Sequence, residues 1–374
     1  QPVKEAFMPL EFDPGEAAQV DWGEATIYLN GEKTKIQLFC YRLCYSADIF
    51  VKAFFRQNQE SFLEGHVAAF THGNGIPKKI IFDNARVAVK EGFGLYAKPQ
   101  DAYQALGAHY AFEMHFTNIN SGNEKGLVEN LVGWVRRNVL VPVPRVDSID
   151  ELNEILISAC LQYRKHQIQG RDQTVGQQFE TDRHSLTPLP KFVFDTSKST
   201  TVRVADNSLI RFEGNQYSAP VSLVGKTVSI KAYGNHLACY HQGEEVAKHQ
   251  RFYSRGETIF ELAHYIPLLE QKPRSVFHAK PVRQTAANEL LDWGKMFPGG
   301  AKDTVKLLKF SVEYGLERVL AIKNALPVSI TPTIGLVQNE LEPHIPVKLD
   351  TAKDIPVSTI DLSSYDRKYL AVAP

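Results

Sequence analysis

Ala18-Gln19-Val20-Asp21-Trp22 and Thr26-Ile27-Tyr28-Leu29, closed by Asn30-Gly31 and answered by Lys35-Ile36-Gln37-Leu38-Phe39-Cys40, form the stretch from which the fold is read. Asn-Gly suits a two-residue type I′ hairpin, whose two central residues both need positive φ. A third run, Ile49-Phe50-Val51-Lys52-Ala53-Phe54, completes a predicted antiparallel meander over Ala17 to Phe55. Asp21 interrupts the apolar face of the first strand, where a carboxylate is costly unless it is paired or metal-bound.

The order of elements continues outward from there. Gln59 to His72 has helical spacing, with Phe62, Val67 and Phe70 on one stripe, and Lys79-Ile80-Ile81-Phe82 is a short apolar strand of the buried, parallel kind. Residues 84–98 carry glycines without a period and read as loop; Gly92 and Gly94 lack a phosphate-loop context. A short helix over Asp101–Gly107, a strand over Phe112–Phe116 and a helix over about Glu124–Val139 follow, the last stopped by Pro142 and Pro144. Ser148 is placed to cap a further helix reaching about Arg164. Three antiparallel strands followed by helix, strand, helix, strand, helix give an α/β fold with one mixed sheet, the ribonuclease-H-like arrangement.

Beyond the connector ending in Leu186-Thr187-Pro188-Leu189-Pro190, five short runs between Thr201 and His241 are punctuated by Asn or Gly and predict a small β-barrel. Gly256 to Ala325 reads as helical, broken by prolines, and Leu326 to Pro374 as an extended Pro-rich tail. The expected domains are an N-terminal extended linker (1–16), a catalytic core (17–145), a helical extension and connector (146–190), the barrel (191–255), a helical C-terminal region (256–325) and the tail (326–374).

At 374 residues the chain is too long for one ordinary core. No apolar run approaches the roughly 20 residues that span a bilayer, and no signal-peptide pattern is present. The four cysteines lack framework or metal-ligand spacing and read as buried thiols of a reducing cytoplasm. Forty-two basic and 42 acidic residues cancel, so no global field attracts a polyanion. The balance is local: Leu186–Gly256 carries nine Lys/Arg against five Asp/Glu, and Leu326–Pro374 four against six. DNA binding is thereby confined to particular surfaces. The first residue is Gln1, not Met, which suggests a processed chain or a fragment.

Three acids stand at element edges: Asp21, Asp83 at the end of Ile80-Ile81-Phe82, and Glu129 before a basic amphipathic helix. Strand carboxyl ends are where sites gather in open α/β sheets. If the fold brings the three together, their repulsion calls for divalent cations, and a carboxylate-held Mg²⁺ pair is the machinery of phosphodiester chemistry. Glu129 is preferred to Glu124 because Arg136 lies seven residues on, two turns away on the same helix face, where it can meet a phosphate with Arg137 beside it. Glu124 has Leu131 at that offset and stands where the helix dipole alone favours an acid. Asn84 and Lys125 are further candidate phosphate contacts. Trp22 can stack on bases or pack the core; for Trp134 the core is favoured. Structural roles are expected of His109 and His115.

Phe12-Asp13-Pro14-Gly15-Glu16-Ala17-Ala18-Gln19-Val20-Asp21-Trp22-Gly23, Ile81-Phe82-Asp83-Asn84 and Lys125-Gly126-Leu127-Val128-Glu129-Asn130 together resemble the DDE transposase and retroviral integrase superfamily, and within it the IstA transposases of bacterial insertion sequences. The resemblance covers most of Glu11–Phe179, passes through Leu186–Pro190 and enters a barrel like that of Mu-type transposases. Two departures are visible: a polar loop, Asn118–Asn123, replaces the family's proline-containing approach, and Asp83 and Glu129 stand 46 positions apart, longer than in retroviral integrases. An insertion around residues 84–98 accounts for the excess.

The resemblance implies that Asp21, Asp83 and Glu129 are at once the catalytic and the metal-holding residues, with Asp21 contacting both of two Mg²⁺ ions and Mn²⁺ able to substitute. It implies cleavage at transposon ends and attack of the freed 3′-hydroxyl on target DNA. Transposon-end DNA, target DNA, a homodimer or higher multimer and an AAA+ ATPase helper are the implied partners, with no membrane, in a bacterial cytoplasm and on the nucleoid when DNA-bound. Family members carry an upstream helix-turn-helix region, so a segment starting at Gln1 is expected to be a core with weaker sequence recognition. The barrel is read as a DNA-backbone track or a protein-contact module, and the tail with Tyr365–Tyr369 as an ATPase-docking peptide or plain disorder. The alternatives are a structure-selective nuclease of the same fold and a catalytically inactive end-binding assembly protein.

Overall fold

The computed structural model describes residues 11–82, 89–91, 98–116, 131–327 and 330–342. They fall into two compact units, 1–265 and 266–374.

The first unit is built on the predicted meander. β1 (Ala17–Leu29) and β2 (Glu32–Leu43) run antiparallel, with Asp21 opposite Cys40, around Asn30 and Gly31 at φ 50° and 81°. Those positive values are what the Asn-Gly pair was expected to supply. β3 (Ile49–Phe54) pairs antiparallel with β2. On the other flank β4 (Lys79–Phe82) runs parallel to β1 and to β7 (Glu113–Phe116), giving the order β3-β2-β1-β4-β7. The anticipated strands are all present, with the first three antiparallel and β4 parallel as expected. An unanticipated β8 (Arg145–Val146) adds a short parallel pairing to the far end of β1.

Strand alternation separates two cores, because successive side chains point to opposite sheet faces. Ala18 and Val20 join Phe39, Tyr41, Phe54 and the helices α1 (Gln59–Gly73) and α2 (Asp101–Tyr110). Ala25 and Ile27 join Leu38, Cys40 and Val51 with the helical residues 131–138 (α3) and α4 (Ile149–Tyr163). α1 begins where Asn58 accepts the Ser61 N–H at 2.9 Å, and α4 where Ser148 accepts that of Glu151 at 3.1 Å. Such caps each contribute about 1 kcal/mol.

Three differences from the sequence reading have physical causes. Within 84–98, residues 89–91 (β5) and 98–99 (β6) form an antiparallel ribbon too short to show a period. The connector contains α5 (Val175–Ser185), with only Val175, Phe179 and Asp182 buried, too few inward residues for a stripe. Asp182 is nonetheless a tie, accepting the backbone N–H groups of Gly15 at 2.6 Å and Ser46 at 3.0 Å. Burial pushes its carboxyl upward in pKa against the lowering effect of those bonds.

The barrel region has seven strands rather than five. β9 (Lys198–Arg203), β12 (Thr227–Ala232), β13 (His236–His241) and β14 (Glu244–Gln250) form one sheet; β10 (Leu209–Phe212), β11 (Asn215–Ser218) and β15 (Thr258–Ile259) form another. Ile210, Tyr217, Ile230 and Leu237 belong to the core they share. β14 escaped notice because it is mostly polar.

The two-sheet module is fixed to the β3 edge. Asn235 accepts the Phe55 N–H at 3.1 Å and donates to the Ala53 carbonyl at 2.9 Å, in place of a neighbouring strand. The buried Arg251 guanidinium reaches Glu213 at 2.9 Å and Glu60 of α1 at 3.6 Å.

In the second unit α9 (Ala301–Tyr314) is central, touching α6 (Ile266–Gln271), α8 (Asn288–Gly294), α10 (Leu316–Ala325) and α11 (Ile334–Leu341); α7 (Lys280–Thr285) lies between α6 and α8 in sequence. α11 corrects the expectation of a wholly extended tail: Thr333 caps it by accepting the Leu336 N–H at 3.3 Å, and Val337 and Leu341 are buried. Tyr365–Tyr369 lies outside the described residues.

Candidate active site

Asp21 sits half-buried in the middle of β1, between Gln19 and Gly23 on the aliphatic side of the sheet. Its Oδ1 accepts the N–H of Trp22 at 2.8 Å, which orients the carboxylate at the strand. Burial drives the thiol of Cys40, opposite Asp21, well above its ordinary pKa; the Asp21 charge pushes it the same way and Arg136 opposes. Side chains from β1, β2 and α3 thus share one electrostatic neighbourhood.

The parallel register brings the end of β4 to the same place, with Gln19 opposite Ile81 and Val20 opposite Phe82. Phe82 is the residue before Asp83. α3 approaches from the aliphatic side, its Leu131, Val132 and Val135 buried. A Cβ on Gly23 would stand 2.5 Å from Cγ1 of Val132, so only glycine admits the helix this close to the strand. Gly23, quoted in the sequence reading without a role, is thus what admits α3 to the strand; a glycine inside a strand was the available signal.

Arg136 adds a second tie between helix and strand. Its Nε and Nη2 both donate to the Glu24 carbonyl, Nε at 2.9 Å. The sequence reading gave this side chain to a phosphate; here two of its five N–H donors hold β1, and the residue stays exposed. Arg137 is exposed beside it. Asp83, Asn84, Lys125 and Glu129 lie outside the described residues. Among the described residues no cluster of three His, Cys, Asp or Glu could hold a metal.

The aromatic candidates are structural. Trp22 packs against Phe39 at 5.5 Å and Phe54 at 5.9 Å, and Trp134 edge-on against Tyr163 at 4.8 Å. His109 bonds the Phe192 carbonyl at 2.9 Å, and His115 lies 3.5 Å from Glu113. All four cysteines are buried and free, and burial raises Cys44, Cys160 and Cys239 to about 12.

Residues 189–261, which contain the two-sheet module, match the family model "Mu transposase, C-terminal domain". Across 368 residues the chain is 32% identical to a transposase of Aminobacter aminovorans, covering 95% of this chain and 70% of that protein. The chain belongs to the transposases. This transposase is also 31% identical over 330 residues to the Pseudomonas aeruginosa transposase for insertion sequences IS1326/IS1353, covering 85% of the chain and 64% of that relative. Among solved structures it has a loose likeness to the HTLV-2 integrase catalytic core domain in complex with magnesium: 16% identity, TM-score 0.33, over 44% of this chain and 97% of that one. Among the described residues no helix is long and apolar enough to cross a membrane.

Proposed function

We propose that this transposase cleaves at transposon ends and joins them to target DNA at a site made by Asp21, Asp83 and Glu129 on a ribonuclease-H-like core. The observation that carries the reading is the convergence at Asp21 of three chain segments. Val20 is paired with Phe82, and Val132 rests on Gly23. Consecutive Cα atoms are about 3.8 Å apart, so Asp83 follows one step beyond that pair and Glu129 two steps before Leu131.

Hard carboxylate oxygens from three segments suit Mg²⁺, with Mn²⁺ as a substitute; Asp21 would be shared between two ions, and Asp83 and Glu129 would hold one each. When bound, such a pair neutralises charge on the phosphate and lowers the pKa of the attacking hydroxyl. The chain's own contribution is positional. β1 and β4 run in parallel register up to Val20 and Phe82, and α3 is held on β1 by its contacts with Gly23 and the Glu24 carbonyl. Arg137, the remaining donors of Arg136, Asn84 and Lys125 are proposed to hold the DNA backbone. Water first breaks a P–O bond to free the transposon 3′-hydroxyl. That hydroxyl then forms a new P–O bond to target DNA, releasing the target's own 3′-oxygen.

Transposon-end and target DNA, a second copy of the chain and an AAA+ ATPase helper are the proposed partners, in the bacterial cytoplasm and on the nucleoid. The two-sheet module is proposed to track DNA or contact protein beside the core, and the C-terminal segment with Tyr365–Tyr369 to dock the helper.

The test is a Mg²⁺-dependent strand-transfer assay on pre-cleaved transposon-end DNA. Asp21→Asn should lose joining by at least about 100-fold, the scale at which single electrostatic groups act, while keeping end binding. Joining at the wild-type rate would remove Asp21 from the chemistry. Hydrolysis without joining by the unaltered protein would make it a nuclease, and binding without either would make it an assembly protein.

A further inference from the structure

We propose that the C-terminal helical unit carries its own binding site for the DNA phosphodiester backbone, a basic cavity formed by Lys272, Arg274 and Lys302. The cavity has a volume of about 620 Å³ and lies between the turn Pro273–Ser275 and the start of α9. Gln271 and Ser275 supply its other polar side chains, and among the described residues no carboxylate lines it. All three cations are exposed, and none has an ion pair among the described residues.

That separates them from their neighbours. Lys295 is held by Asp292, Lys309 by Glu270 and Lys323 by Glu289, so pairing is common in this unit. The two acids closest in sequence to the cavity both have partners, Asp303 on the lining residue Gly299. Glu270 bonds Lys309, and Asp303 turns back to accept the Gly299 N–H at 2.8 Å. Lys306, four residues beyond Lys302 and on the same face of α9, is exposed and extends the basic strip.

Three cations around one open cavity repel one another and gain by sharing an anion. A chain with no net charge, acting on DNA, has to concentrate its phosphate contacts in such places. Basic residues on a flexible stem hold phosphates without reading bases, so the site should add affinity without sequence preference. The inference rests on the chain's being a transposase. It concerns binding rather than chemistry, so it can fail while the acid site stands.

The experiment measures binding of the full chain to two duplexes, one with the transposon end and one of random sequence, across a salt titration. Each phosphate contact contributes about 0.9 to the slope of log K against log salt. The combined variant Lys272→Gln, Arg274→Gln and Lys302→Gln should lower the slope by about 2–3 and weaken binding at least tenfold near 0.1 M salt. The double variant Lys272→Arg, Lys302→Arg should keep it, and an unchanged thermal melt of both separates lost contacts from lost folding. A fall on the end duplex alone assigns the cavity to transposon ends; a fall on both assigns it to DNA generally; a fall on random duplex alone assigns it to the target. An unchanged slope on both duplexes overturns the proposal, including the case in which the Gln variant instead loses an acidic protein partner.

Discussion

On one face of the central sheet Val20, Phe39, Tyr41 and Phe54 meet Phe62, His66 and Phe70 of α1, an aromatic layer. On the other, Ala25, Ile27, Leu38 and Cys40 meet Leu131, Val132 and Val135 of α3, an aliphatic layer of small side chains. The same strands build both, since alternation sends neighbouring residues to opposite sides. Aromatic rings bury large areas and interlock edge to face, so that side supplies rigidity. Small residues let a helix backbone come close to a strand, and on the other side Gly23 admits α3 against β1 beside Asp21. With the proposed site at Asp21, one sheet would divide stability and chemistry between its faces.

Phe62 offers the strongest way to break the division. It is fully buried, 4.9 Å from Tyr103, 5.4 Å from Phe82 and 4.5 Å from His66. Phe62→Ala should cost about 3–5 kcal/mol of stability, read from urea unfolding. Strand transfer per folded molecule should be little changed in the cold.

Gly23 should show the opposite pattern. Gly23→Ala drives a methyl group into Val132, and overpacking of that kind costs about 1–3 kcal/mol. The larger consequence falls on strand transfer, because displacement of a reacting group by about 1 Å costs on the order of 100-fold. Val132→Ala in the same chain should return most of the activity by making room. If Gly23→Ala lost stability and joining in proportion, or if Val132→Ala restored nothing, the aliphatic face would be packing like its counterpart.

Much of this division was legible in the sequence. Asn30-Gly31 announced the hairpin, and the apolar run to Phe82 the parallel strand. Hidden features were those whose signal is spread across distant segments. Gly23 acquires its role only when α3 is laid on it. Arg136 meets the Glu24 carbonyl across 112 positions, an anchoring contact that its helical spacing does not announce. α5 offered almost no apolar period, although Thr174 and Gln177 form a capping box that could have announced it. Asp182 read as one more polar residue because its partners, Gly15 and Ser46, are more than 130 positions away.

His66 gives a smaller and finer comparison of the faces. It lies fully buried in the aromatic layer, with Nδ1 2.8 Å from the Phe62 carbonyl and Nε2 3.5 Å from the Tyr103 hydroxyl. Donation from Nδ1–H and acceptance at Nε2 satisfy both partners, which assigns the neutral ring. Burial lowers its pKa from 6.5 to about 4, so between these values the unfolded chain binds more protons than the folded one. The stability it contributes is therefore complete above about pH 6.5, declines as pH falls and is fully lost near pH 4. By pH 5 the loss for one such group is about 2 kcal/mol. His72, also lowered to about 4 by burial and by Arg164, titrates in the same window, so His66→Leu is needed to isolate the first. The fall in urea midpoint between pH 7.5 and pH 5.0 should be smaller in His66→Leu than in the unaltered chain. On the aliphatic face the ionisable core groups Cys40 and Cys160 are shifted upward by burial and remain neutral thiols throughout that range. Acid should accordingly loosen the aromatic face first; an equal fall in both proteins would show that His66 carries none of it.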